Sequence, residues 1–241
     1  MGKERKVYTS FHDIPPREYM YFPKGSLDVV KPGSFSRIEI IHILISMGVL
    51  TIAFAIALSS YKSFPLFNNG FNLEMLPLSF LLSFLAITIG FFFHEISHKF
   101  MAQKYGLWAE YRMFPQGLLL ALFLSVFTGF VFAAPGAVMF MGGSRTYETS
   151  RIAMAGPLAN IIIAAITLPL YLFLFYETEL LSTIFAFICF INAFLASFNL
   201  LPFGPLDGTK IIRGNATAWI IMLVVSISLL MIIITEIPIV F

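Results

Sequence analysis

Apolar residues run in long blocks along this chain, with polar and charged residues gathered between them. Blocks from about Arg37 to Ser60, Leu76 to Tyr105, Ile152 to Tyr176, Leu180 to Leu201 and Ala216 to Thr235 each reach 20 residues or more. As helices rising about 1.5 Å per residue, each can cross a hydrocarbon core about 30 Å thick. Gly106 is placed to end the second block, as a glycine after a helix C-terminus commonly does. A further apolar block, 117 to 143, is broken by Gly129 and by Ala134-Pro135-Gly136, and its roughly 25 residues are too few to cross twice. Residues 1 to 36 are polar and basic, and Pro15, Pro16, Pro23 and Pro32 forbid a long helix there.

Composition agrees with the blocks: 59% hydrophobic residues, 12% charged and a mean hydropathy of +0.88 exclude a soluble globular class. No early apolar core with a small-residue cleavage site is visible, so no cleaved signal peptide is expected. No basic patch for nucleic acid stands out. The single Cys189 lies inside an apolar block, which rules out an intrachain disulfide and suggests a buried, inert thiol. The net charge of +2 says little as a total, but its placement decides topology. If the broken block dips in and returns, 14 of the 15 Lys and Arg residues share one side, with Lys62 alone opposite. If it crosses, Arg145 and Arg151 move outside. Basic residues concentrate on the cytoplasmic side, so the re-entrant reading is preferred. The expected fold is all-α and polytopic, with about five to six transmembrane helices and a re-entrant segment, able to hold β structure, between the second and third spans. Within that segment, Ala137 to Phe140 are β-favouring residues after Pro135-Gly136. Irregular backbone at such depth must line protein or a wet cavity.

The chemistry begins near the end of the second block, at His94-Glu95-Ile96-Ser97-His98. Residues four apart share a helix face, so His94 and His98 can grip one metal ion while Glu95 reaches a water beside it. Two imidazoles and one further ligand suit zinc with one open position. Asp207, after the helix-breaking run Pro202-Phe203-Gly204-Pro205, is the only Asp near a membrane core and returns by charge counting to the histidine side. It is the expected third ligand; an N-cap role or pairing with Lys210 or Arg213 is the competing reading. Ala155-Gly156-Pro157-Leu158-Ala159-Asn160 offers small residues for close helix packing, and Asn160 fits either packing or substrate contact. Glu39 and His42, three apart in the first block, are expected to pair structurally.

Taken together, His94-Glu95-x-x-His98, Gly156-x-x-x-Asn160 and Asn199-x-x-Pro202 leading to Leu206-Asp207-Gly208 resemble the site-2 protease family of intramembrane zinc metalloproteases. The resemblance spans about Ile87 to Gly214 and is to the minimal archaeal and bacterial form, without a PDZ domain or nucleotide-binding modules. It implies one Zn2+ per chain on His94, His98 and Asp207, with Glu95 as catalytic carboxylate and Asn160 and Asn199 holding substrate backbone. On this reading residues 1–36 are a cytoplasmic lead-in, for which the family pattern offers no assignment. Residues 37–241 form a membrane-embedded metalloprotease domain with its catalytic core at about 76–214. The N-terminus and the active-site opening face the cytoplasm, and the partners are the bilayer and transmembrane protein substrates. Two rivals remain: an inactive zinc-binding pseudoprotease that holds membrane helices, against which Glu95 argues, and a metal transporter, which would need more than one coordinating cluster.

Overall fold

The computed structural model describes residues 33–59, 73–141, 145–174 and 178–236. His12, Lys62 and most of the lead-in lie outside these. Seven helices and two strands follow in order: α1 (Arg37–Ser59), α2 (Leu76–Lys104), β1 (Trp108–Met113), α3 (Pro115–Thr128), β2 (Gly136–Met141), α4 (Thr146–Leu174), α5 (Glu179–Asn199), α6 (Asp207–Gly214) and α7 (Ala216–Glu236). Among the described residues α1, α2, α4, α5 and α7 are long and apolar enough to cross a membrane. Large apolar side chains such as Leu119 (67% exposed) and Phe173 (80%) point outward, which water would penalise and lipid favours.

Helix ends follow local chemistry. Ser36 Oγ accepts the Glu39 N–H to start α1. Pro77 in the first turn of α2 lacks only a donor that would have been unpaired. After α2, Gly106 takes the left-handed conformation (φ +70°), and its N–H bonds the Gln103 carbonyl. α4 begins at Thr146, six residues ahead of the expected span, because the Arg145 N–H is capped by Glu148 Oε2. The Trp219 indole N–H donates to the Leu200 carbonyl at 2.7 Å, fastening α7 to the end of α5.

α2 is the central helix and packs on α1, α4 and α5. Its apolar core partners include Ile43, Leu50 and Phe54 of α1 and Phe187, Ile191 and Leu195 of α5. At Gly90 of α2 an added Cβ would stand 3.1 Å from Leu195, so the two helices touch almost backbone to side chain.

The broken block is re-entrant. Strands β1 and β2 pair antiparallel, from Trp108 opposite Met141 to Met113 opposite Gly136, and the Phe114 N–H bonds the Pro135 carbonyl at 2.8 Å. The chain therefore leaves and returns at one place. α3, with 14 residues, is only about 21 Å long and makes the excursion between them. Tyr111 anchors the sheet: its ring meets Phe91 of α2 edge to face at 5.6 Å and its hydroxyl donates to Ser46 Oγ of α1. Burial pushes that hydroxyl above its ordinary pKa, so it stays a donor.

The expected pairing of Glu39 with His42 is not formed. Glu39 bonds Lys99 Nζ instead, at 2.5 Å, and accepts the Tyr111 N–H at 3.0 Å. A full ammonium from α2 offers the buried carboxylate more than a neighbouring imidazole on its own helix.

Candidate metal centre and catalytic cleft

His94, Glu95 and His98 lie in the last turns of α2, all buried. The irregular stretch after α5 delivers Asp207 as the first residue of α6, with Leu206 at the cap position. One ligand atom from each of His94, His98 and Asp207 lies within 4.8 Å of the other two, and this is the one such group among the described residues. Asp207 Oδ2 stands 2.9 Å from His98 Nε2 and 3.4 Å from His94 Nε2, while Oδ1 takes Lys210 Nζ at 3.2 Å. The competing reading of Asp207 is thus met in part, with one oxygen on Lys210 and the other on the histidines.

Hydrogen bonds fix which imidazole nitrogens are free. Asn160 Nδ2 donates to the Gly90 carbonyl at 3.0 Å and to Asn192 Oδ1 at 2.8 Å. Both partners only accept, so the amide oxygen must be the end that faces His94 Nδ1, 2.5 Å away. That nitrogen carries the proton. His98 Nδ1 likewise donates to the Ile152 carbonyl at 2.7 Å. Both Nε2 lone pairs are then turned toward each other, 3.1 Å apart, and toward a carboxylate oxygen. Three acceptors turned toward one another are the arrangement a cation between them would hold, and two imidazoles with a carboxylate are a zinc donor set.

α4 leaves room for the ion. A Cβ added at Gly156 would stand 2.3 Å from His98 Nε2 and 2.7 Å from His94 Nε2, so the absent side chain keeps open the space beside both lone pairs. Asn160, one turn on and fully buried, has its amide committed to His94, Gly90 and Asn192. Gly156 and Asn160 thus face the metal-gripping helix together. Asn199 bonds the Leu195 carbonyl at 3.0 Å and lines the cleft. Asn192 carried no motif in the sequence; only the fold shows it as the group that orients Asn160.

The ligands open into a cleft of about 290 Å³ lined also by Glu95, Gln116, Lys210 and residues 132–138. Glu95 Oε2 is buried without a hydrogen-bond partner, and the carboxylate faces the Val138 backbone N–H. That contact agrees with the ladder. Since the Tyr111 N–H goes outward to Glu39, the Tyr111–Val138 pair exchanges no bonds, and ladder bonds fall at Glu110–Met139 and Arg112–Ala137. The N–H and C=O of Val138 and Phe140 consequently lie on the free edge of β2, and both residues line the cleft.

The sequence pattern of peptidase family M50 matches residues 175–233, which include Asp207. A protein of Methanocaldococcus jannaschii, provisionally named a zinc metalloprotease, is 40% identical over 189 residues, covering 78% of this chain and 90% of that protein. The chain belongs to peptidase family M50, the site-2 protease family. A second relative from the same organism, named a zinc metalloprotease, is 28% identical over 171 residues, 70% of this chain and 43% of that protein. No solved structure matches the chain. As an M50 protein it is a metalloprotease, and the His94, His98 and Asp207 group is where such a protein would hold its metal.

Proposed function

We propose that this protein is an intramembrane zinc metalloendopeptidase that hydrolyses peptide bonds within or beside the transmembrane segments of membrane-protein substrates. The observation that carries the reading is the convergence of His94 and His98, in the last turns of the membrane-length α2, with Asp207, the first residue of the short α6 that follows the membrane-length α5, and a buried, unpartnered carboxylate oxygen of Glu95 in the same cleft. Those three residues would hold one zinc ion per chain, which would supply Lewis acidity toward a carbonyl oxygen and acidify water. Glu95 takes the proton of the attacking water on its carboxylate and returns it to the leaving amide nitrogen. Asn199, on the cleft wall, is the side chain assigned to hydrogen-bond substrate. Asn160, buried behind His94, acts instead by holding that imidazole in register.

A helical substrate has its backbone groups satisfied and must unwind before attack. In a medium without water the freed N–H and C=O groups need partners, and the free edge of β2 offers those of Val138 and Phe140. Strand addition there would hold an extended segment beside Glu95 with little regard for its side chains. The protein therefore prefers spans weakened by Gly, Pro or polar residues. It sits in the cytoplasmic membrane with its cleft open to the cytoplasm, the side on which its basic residues gather.

The deciding experiment is Glu95→Gln. The variant should keep about one zinc per chain yet cleave a single-span test protein roughly 100-fold or more slowly. Full activity would remove Glu95 from proton transfer. A wild-type protein that binds zinc but cuts no membrane segment would make it a pseudoprotease.

A further inference from the structure

We infer that Glu39, anchored by Lys99, is a positioning residue that sets the phase of the β1–β2 sheet over the metal centre and so fixes which peptide bond of an added strand is cut. The inference rests on the strand-addition reading above.

Glu39 lies on α1, far from the motifs, and is 0% exposed. Its Oε1 accepts the Tyr111 N–H in the middle of β1, and its Oε2 takes Lys99 Nζ. Lys99 directly follows the metal-gripping His98. It is 1% exposed, also donates to the Ser34 carbonyl at 2.8 Å, and lies 4.0 Å over the Phe35 ring. The carboxylate thus spans from the metal-bearing helix to the sheet.

Two consequences follow from one bond. On its outer edge β1 would otherwise offer a free Tyr111 N–H to any extended segment; Glu39 occupies it, leaving β2 as the receptive edge. Because an antiparallel ladder alternates, committing the Tyr111 N–H outward also obliges Val138, opposite it, to turn its own N–H and C=O toward the cleft. Val138 then meets Glu95. A strand docked on that edge can shift only in steps of two residues, since alternate residues face the other way. Phase at Val138 is therefore phase at the scissile bond.

Removing Glu39 alone would strand a buried ammonium and threaten folding. Both Glu39→Leu/Lys99→Met and the slimmer Glu39→Ala/Lys99→Met remove the carboxylate with its counter-charge. The probe is a single-span test protein with a Gly-Pro pair in its span, cut at one bond by the wild type. Whichever double variant retains about one zinc per chain should show kcat/KM lowered at least 10-fold, mainly through KM, and new products cut two residues to either side. Glu39→Gln/Lys99→Met keeps a carbonyl oxygen for the Tyr111 N–H and should restore the single cut. A purely structural role would slow all cleavage without moving the bond. The wild-type bond and KM in a zinc-loaded carboxylate-free variant, or loss of zinc in both, would overturn the inference. Val138→Pro separates the two ideas. If it cleaves normally, strand addition itself fails; if it blocks cleavage while the double variants keep the wild-type cut, only the role of Glu39 fails.

Discussion

At position 156 the decisive feature is a missing side chain. The methyl group of Gly156→Ala would occupy the space 2.3 Å from His98 Nε2, with α4 itself held by the Ile152 carbonyl on His98 and by Asn160 on His94. Zinc content, measured by elemental analysis, should fall below about a tenth of an equivalent although all three ligands remain. Full occupancy would show that α4 yields. Asn192→Leu tests the tautomer argument: without the Oδ1 acceptor nothing fixes the Asn160 amide, and zinc affinity in chelator competition should drop about 10-fold or more. Wild-type affinity would mean that Gly90 alone orients Asn160. The sequence made His94, Glu95 and His98 legible because their spacing is a property of one helix. Asn192 was not legible, since its role depends on α5 lying against α4. Asn160 was half legible, marked by its spacing from Gly156 but turned toward His94 and not toward the cleft.

Elements were legible where apolar length alone decides them, and less so where pairing does. β2 showed in the β-favouring run Ala137 to Phe140, but β1 did not, because Trp108–Met113 carries Glu110 and Arg112 in its middle. Those two charges pair with each other, and burial pushes the Glu110 carboxyl above its ordinary pKa while Arg112 draws it down. The helical start of α4 and the short α6 were missed because local capping and turn contacts set them and apolar length does not: Glu148 caps the Arg145 N–H, and the Thr209 hydroxyl donates to the Leu206 carbonyl. Strand addition belongs to this scale. Pro at 138 removes an N–H that faces the cleft, whereas Pro at 139 removes one that bonds Glu110 within the ladder. Val138→Pro should therefore abolish cleavage with zinc retained, measured as product over time on a single-span substrate. Met139→Pro should loosen the sheet and lower thermal stability, with the β2 edge otherwise intact and activity reduced less. Equal wild-type activity in both would leave the segment as a plug between helices.

The whole molecule is organised by which ends of its helices carry charge. Sequence counting placed 14 of 15 basic residues on one side only if 117 to 143 returns, and the sheet joining Met113 to Gly136 shows that it does return. From there the arrangement is forced. His94 and His98 lie toward the end of α2, Asp207 follows α5, and each long helix between reverses direction once, so all three ligands meet toward one end of the helix bundle. On the proposed orientation, the basic residues put that end on the cytoplasmic side. Tyr147, 45% exposed at the start of α4, reports that face, and Thr178 before α5 reports the opposite one. With Cys189→Ala as background, Tyr147→Cys should react with an impermeant thiol reagent in inverted vesicles and not in intact cells, and Thr178→Cys in cells only. The reverse pattern would place the cleft outside, against the charge asymmetry. Labelling of both from one side would mean that α4 does not span, and Asp207 could not then reach the histidines by the path described.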